Sequence, residues 1–316
     1  MFDAETFVDE AVKGIKAKVG DGKAIIACSG GVDSMVAAAL AYKAIGDRLL
    51  AVYVDNGLMR KGETDEVRCI MEGRTLNHKV VDAKEQFFSA LKGITDPEEK
   101  RKVIGERFIR IFEKEAKDFG AEFLVQGTIA PDWVESGIGT GKIIKSHHNV
   151  GGLPEDMKMV LVEPLRELYK GEVRKVARAV GIRSSERQPF PGPALSVRCL
   201  GEVTEESIEI VREACAIVEE EIRKASAAGM MALPWQYFAV LLPARSVGVR
   251  DGARTYGRTV VIRAVASDDG MTAKHARIPI EALETISSRI TAELGDSVNR
   301  VVYDLTDKPP ATIEWE

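Results

Sequence analysis

The stretch Ala24-Ile25-Ile26-Ala27-Cys28-Ser29-Gly30-Gly31-Val32-Asp33-Ser34-Met35-Val36-Ala37-Ala38-Ala39-Leu40 decides the fold. It opens as a short apolar run the size of a buried strand and closes as a longer one that suits a helix. Between them stand two adjacent glycines and two serines. Such a strand–turn–helix aims unpaired backbone N–H groups and the positive end of a helix dipole at one point, where an anion fits. Gly30 and Gly31 allow positive φ and close backbone approach, and the hydroxyls of Ser29 and Ser34 add donors.

Outward from this turn, strands and helices alternate. Phe7, Val8, Ala11, Val12, Ile15 and Val19 recur at helical spacing and predict a helix over residues 3–19. Residues 49–54, 78–81, 123–125 and 159–162 read as further short buried strands. A helix is predicted over 97–119, with Asp96-Pro97 as cap and first-turn pair, and another near 168–180. This alternation predicts an α/β, doubly wound, mostly parallel sheet, whose ligands bind at the carboxyl ends of the strands. Those ends carry Ser29–Ser34, Asp55-Asn56-Gly57 and Gln126-Gly127-Thr128. Gln188-Pro189-Phe190-Pro191-Gly192-Pro193 is a rigid linker. It sets the expected domains at 1–188 and 189–316. The second reads as a smaller α+β domain: a helix over 204–226, antiparallel strands at 235–242 and 259–265, a helix over 279–294 and a strand at 300–303. Ile313 and Trp315, alternating with Glu314, read as an ordered edge strand.

Composition excludes some classes. The 316 residues carry a net charge of −5, where a general nucleic-acid binder is usually basic. No apolar run is long enough to span a membrane, and no signal peptide is evident. The four cysteines, Cys28, Cys69, Cys199 and Cys215, form no C-x-x-C or zinc spacing. A cytoplasmic protein is expected, with no nucleic-acid or membrane partner.

The loop is neither a Walker A motif, which needs a Lys, nor a G-x-G-x-x-G fingerprint. Instead Asp33 stands inside the anion nest, which makes sense where Mg²⁺ lies between a carboxylate and phosphates. Ser29–Ser34 is therefore similar to the loop of ATP-pyrophosphatases, enzymes that split ATP between its α- and β-phosphates.

More of the chain joins in. After the loop come Asp55-Asn56-Gly57-Leu58-Met59-Arg60-Lys61, Gln126-Gly127-Thr128-Ile129-Ala130-Pro131-Asp132, Lys145-Ser146-His147-His148-Asn149-Val150-Gly151-Gly152-Leu153-Pro154, Pro189-Phe190-Pro191-Gly192-Pro193 and Lys308-Pro309-Pro310-Ala311-Thr312-Ile313-Glu314-Trp315-Glu316. In this order they resemble the synthetase part of the GMP synthase family. The loop alone leaves NAD synthetases and tRNA-thiolating enzymes open, and a nucleotide-binding regulatory subunit without catalysis is a further alternative. Two positions depart from the family: Gln188 stands where His is usual, and Ala194 where Gly is usual.

The resemblance implies an N-type ATP pyrophosphatase fold, adenine-nucleotide alpha-hydrolase-like, followed by an XMP-binding and dimerisation domain. It implies ATP-dependent amination of XMP to GMP, with ATP as co-substrate and Mg²⁺ as cofactor. No Cys-His-Glu set for glutamine hydrolysis can be assembled. The family's two-subunit type is therefore expected, with ammonia from a separate glutamine amidotransferase and a homodimer of this chain. The implied ATP-binding residues are Ser29, Gly30, Gly31, Val32, Asp33, Ser34, Met35, Asp55, Asn56, Gly57 and Gly127. Asp55-Asn56-Gly57 reads equally as a plain turn. Catalysis is assigned to Asp33, also the Mg²⁺ ligand, and to Lys145, on a glycine-rich connection read as a mobile lid. Asp132 reads as a metal ligand, a lid-ordering group or a helix cap. Arg101, Lys308, Thr312, Ile313 and Glu314 are the implied XMP contacts. Lys100 and Lys102 read as a solvated helix face.

Overall fold

The computed structural model describes residues 2–73, 76–130, 159–182, 188–268 and 270–316. Lys145, Asp132, His147 and His148 lie outside the described residues, as does the proposed lid. The chain separates into two compact units. The first comprises Met1–Asp55, Gly62–Ala83 and Glu106–Arg187; the second comprises Asn56–Lys61, Lys84–Gly105 and Gln188–Glu316.

The first unit holds a five-stranded sheet of β1 (Ala24–Ala27), β2 (Leu49–Asp55), β3 (His78–Asp82), β4 (Phe123–Val125) and β5 (Val160–Val162). Its order is β3-β2-β1-β4-β5, and every pair is parallel. All of β2 is buried, as a strand covered on both faces must be. Helices α1 (Ala4–Val19) and α2 (Val32–Ile45) pack on each other and on α6 (Lys170–Ala179). Helix α3 (Glu63–Glu72) also belongs to this unit, whereas α4 (Lys84–Leu91) and the start of α5 (Pro97–Phe119), to Gly105, belong to the second. Asp3 caps α1 through the N–H groups of Glu5 and Thr6. Asp96 caps α5 through Glu99 N–H at 2.9 Å, the arrangement that Asp96-Pro97 predicts.

The strand order places the switch of winding direction between β1 and β4. β2 and β3 extend one way from β1, and β4 and β5 the other. The segments leaving the carboxyl ends of β1 and β4 therefore flank a crevice, the expected ligand position of such sheets.

The second unit holds β6 (Gln236–Arg250), β7 (Ala253–Ala266), β8 (Lys274–His275) and β9 (Val298–Tyr303), with α7 (Glu205–Ala227) and α8 (Ile280–Glu293) packed together beside them. Thr204 and Ser207 cap α7 reciprocally: each side-chain oxygen accepts the other's backbone N–H. The β6–β7 hairpin runs well past the predicted 242 and 259, to a tip at Asp251-Gly252. Both tip residues have positive φ, the requirement of a two-residue primed turn. Pro243 follows the predicted end of the first strand. It sits at the register shift between Leu242 and Arg245, where a proline is tolerated because no ladder bond is needed.

The tail corrects a second expectation. Residues 311–316 form no strand; among the described residues, the tail's one ladder contact is an isolated bridge between Ala273 and Lys308. Pro309 and Pro310 have no N–H to donate. The carbonyls of Thr312 and Ile313 are taken instead by the Arg263 guanidinium, at 3.0 and 3.4 Å.

Candidate active site

The nest is built by β1 and α2. Cys28 N–H still belongs to the sheet, donating to Val52 O at 2.8 Å. The chain then turns through Gly30, whose φ is +78°. Ser34 Oγ donates to Gly31 O at 3.0 Å and accepts Ser29 N–H at 3.3 Å, which closes the turn on itself. Gly31 caps α2 without a side chain, and the first intrahelical bond is Met35 N–H to Gly31 O. The N–H groups of Val32, Asp33 and Ser34 thus have no intrahelical acceptor. They stand at the dipole's positive end. Met35 itself is in the core at 2% exposure, so its side chain is not available to a ligand.

Gly127, just beyond β4, lies hard against this turn. A Cβ there would stand 2.8 Å from the Asp33 carbonyl carbon and 2.9 Å from Ser34 N. Only glycine lets the two segments approach so closely. The structure therefore brings Gly127 and Ser29–Ser34 together.

Asp33 is the charged group of the nest. Its Oδ2 pairs with Lys170 Nζ at 2.5 Å, and its Oδ1 is buried with no partner among the described residues. An orphaned carboxylate oxygen suits Mg²⁺, and the N–H groups beside it suit the phosphates such an ion accompanies. That ion keeps its waters and takes only one or two carboxylates. No cluster of three or more His, Cys, Asp or Glu suited to a metal stands among the described residues, so a metal here would be held largely by its phosphate ligands. Lys170 is a site residue that sequence reasoning missed. It is 137 positions from Asp33, and nothing in the local pattern around it marks it.

Asp55 ends β2 and accepts Ala83 N–H through its backbone carbonyl. Asn56 is wholly buried. Its Oδ1 accepts Leu58 N–H at 2.8 Å in an Asx turn, and its Nδ2 has no partner among the described residues. Gly57 has a φ of +75°, and its carbonyl accepts Arg212.

The second candidate cluster lies within the second unit. Arg101 sits in the first turns of α5, paired with Glu98. Lys100, expected on a solvated face, is completely buried. Its ammonium donates to Cys199 O at 2.8 Å and Glu316 Oε2 at 2.5 Å. The helical period put Lys100 among charges, but the partners that make its burial tolerable come from 99 and 216 positions away. Glu314 is held by Arg198, with Nε and Nη2 reaching its two oxygens at 3.0 and 2.8 Å, and by Gln236 Nε2 at 2.7 Å. Arg198 is itself buried, 4.0 Å from the Phe238 ring centroid and 5.2 Å from that of Phe190. Burial works against its charge, but Glu314 outweighs that and holds the guanidinium protonated beyond its ordinary range. Lys308 Nζ donates to Gly270 O at 2.8 Å, and Thr312 Oγ1 donates to Glu314 O at 2.5 Å. Ile313 is buried. Gln188, where the family usually has His, accepts Tyr237 N–H on its Oε1 at 2.7 Å.

Burial raises the thiols of Cys28, to about 12, and of Cys199 and Cys215. These three are core groups, not nucleophiles. Among the described residues no helix is long and apolar enough to cross a membrane.

Comparison with known proteins gives the family. The family model for the GMP synthase C terminal domain matches residues 220–315, and that for NAD synthase matches residues 3–109. A GMP synthase [glutamine-hydrolyzing] subunit from Methanopyrus kandleri is 56% identical over 100% of both chains. Its namesake from Methanocaldococcus jannaschii is 58% identical, again over 100% of both. The GMP synthase [glutamine-hydrolyzing] of Geobacillus kaustophilus is 57% identical over 99% of this chain and 61% of that one. With relatives this similar along its whole length, the chain belongs to the GMP synthase family.

Proposed function

We propose that this chain aminates XMP to GMP at the expense of ATP. The C2 oxygen of XMP attacks the α-phosphorus of ATP, and pyrophosphate leaves. Ammonia then adds at C2 and AMP departs, leaving GMP. The observation that carries this reading is the nest: free N–H groups at a helix start, packed against Gly127, with Asp33 and Lys170 beside them. Such a nest stabilises negative charge as it develops on the leaving pyrophosphate. A cleavage between α- and β-phosphates is favoured over one at the γ-phosphate because the loop has no Walker lysine.

Within this reading Ser29–Ser34 hold the pyrophosphate portion through backbone and hydroxyl donors. Lys170 neutralises part of its charge, and Lys145 has the same task by family resemblance. Asp33 Oδ1 would hold Mg²⁺, which when bound offsets the phosphate charge. Asp55, Asn56 and Gly57 line the adenosine. Arg101, Lys308, Thr312, Ile313 and Glu314 receive XMP, a bidentate guanidinium suiting its anionic groups. Glu314 Oε1 is already taken by Arg198 Nη2 and Gln236 Nε2, but Oε2 accepts Arg198 Nε and retains capacity for one purine N–H donor.

The two full-length relatives are themselves named as subunits, which supports a separate glutamine-hydrolysing partner as the ammonia source. A homodimer through the second unit is favoured by Val249 and Tyr256, exposed by 77% and 57% on the outer β6–β7 hairpin; light scattering tests it. The activity is tested with purified chain, ATP, XMP, ammonium and Mg²⁺. GMP, AMP and pyrophosphate should appear in equal amounts, and Asp33→Ala should lose all three. ADP in place of AMP refutes the reading.

A further inference from the structure

Lys100 has no part in the reaction described above, yet it is the most deeply buried lysine described, at 0% exposure. A buried ammonium survives only with full compensation. Here that comes from the Cys199 carbonyl and the Glu316 carboxylate, itself 7% exposed. The other Glu316 oxygen accepts Gly201 N–H at 3.4 Å. Desolvating both partners offsets much of what such a pair contributes to net stability. The best-attested use of a buried pair is to fix register between segments.

The position of the pair gives it something to register. Lys100 immediately precedes Arg101 on α5, whose start is pinned by the Asp96 cap. Glu316 stands two residues beyond Glu314. A single contact therefore ties the turn that carries one proposed XMP contact to the tail that carries the others, across 216 positions of chain. All of these residues belong to the second unit. Other tail ties, among them Arg198 to Glu314 and Arg263 to the carbonyls of Thr306, Thr312 and Ile313, reach the turn at 194–198 and β7 rather than α5.

We propose that Lys100 and Glu316 are positioning residues that set the spacing between Arg101 and the tail before XMP arrives. The inference rests on the XMP reading above. Pre-assembly spares the ligand the entropy of ordering two segments.

The test uses the full chain with Glu316→Gln and Glu316→Asp. Glu316→Gln keeps shape and removes charge. It should raise KM for XMP about tenfold, leaving KM for ATP within about twofold, the pattern of lost binding at one substrate only. Hydrogen exchange of peptides covering 308–316 should accelerate, while peptides covering α7 stay protected. Glu316→Asp keeps the charge on a shorter stem and should restore most of the KM. A folded Glu316→Gln enzyme with unchanged KM for XMP and unchanged tail exchange overturns the proposal. So does a general rise in exchange with both KM values moved together, which would make the pair a stability element. If the unsubstituted chain forms no GMP from XMP, the functional reading fails, and the exchange measurement still decides whether the pair anchors the tail.

Discussion

Gly127→Ala puts the packing of β1 against β4 to a direct test. The added methyl would sit 2.8 Å from the Asp33 carbonyl carbon, 2.9 Å from its oxygen and 2.9 Å from Ser34 N. Ordinary contact begins near 3.4 Å, so the two segments must part by about 0.6 Å. The obstruction is backbone, which cannot swing aside as a side chain does. The groups displaced are the nest itself. Misplacing a reacting group by 1 Å costs on the order of a hundredfold in rate, so a shift of this size should cost about ten- to thirtyfold. Overpacking should also destabilise the chain by about 1–3 kcal/mol. The assay is pyrophosphate release at saturating XMP and ammonium, with ATP varied, beside a thermal melt. Gly105→Ala is the control. That glycine lies inside α5 with nothing within 4 Å of its added Cβ, so the change should stabilise by about 0.5–1 kcal/mol. A folded Gly127→Ala enzyme that releases pyrophosphate at the normal rate refutes the argument that close approach of these backbones shapes the site.

Three further outcomes are expected. Lys170→Met removes the cation beside Asp33 and should slow pyrophosphate release by about tenfold or more, read in a single-turnover assay. Ala194 has a φ of +57°, a conformation that costs a non-glycine residue roughly 1–2 kcal/mol. Ala194→Gly relieves this but loses one buried methyl, about 0.8 kcal/mol, so a net gain of about 0.5 kcal/mol should appear in denaturant unfolding. Glu220 is held down to about 2 by hydrogen bonds from Lys224 and then Arg289. A carboxyl lowered on folding stabilises above its ordinary value of 4.5, and that contribution fades as pH falls toward 2. Glu220→Gln should therefore flatten the acid limb of the melting curve between those values, by a small amount that salt reduces further.

The first unit was largely legible because its signals are local. A strand of four apolar residues, two glycines and a helix of alanines can be read without knowing what packs on them. The parallel pairing follows from alternation alone, while the strand order does not. The short helix at 63–72 escaped, as did the one at 84–91 in the second unit, since neither offers a long apolar period. What was illegible is consistently long-range. Lys100 looked solvated because its neighbours in sequence are charged, while its true neighbours are Cys199 and Glu316. Lys170 gave no sign because Asp33 lies on another helix. The tail was read as a strand from the alternation of Ile313, Glu314 and Trp315. That pattern reflects one apolar anchor and one ion pair, with the backbone carbonyls spoken for by Arg263. Ala194 was visible as a departure from the family's glycine, but only the backbone shows that it occupies glycine's conformation.

The second unit draws on three separate runs of chain, 56–61, 84–105 and 188–316. During synthesis the first two emerge long before the third exists. Leu58 waits for Leu195, and Lys100 for Glu316. Pairings so distant in sequence close slowly, because loop entropy must be overcome before any contact rewards it. A fragment beginning at Gln188 would lack the ammonium that the Glu316 carboxylate meets, so this half of the molecule completes itself only once its third run of chain has joined the first two.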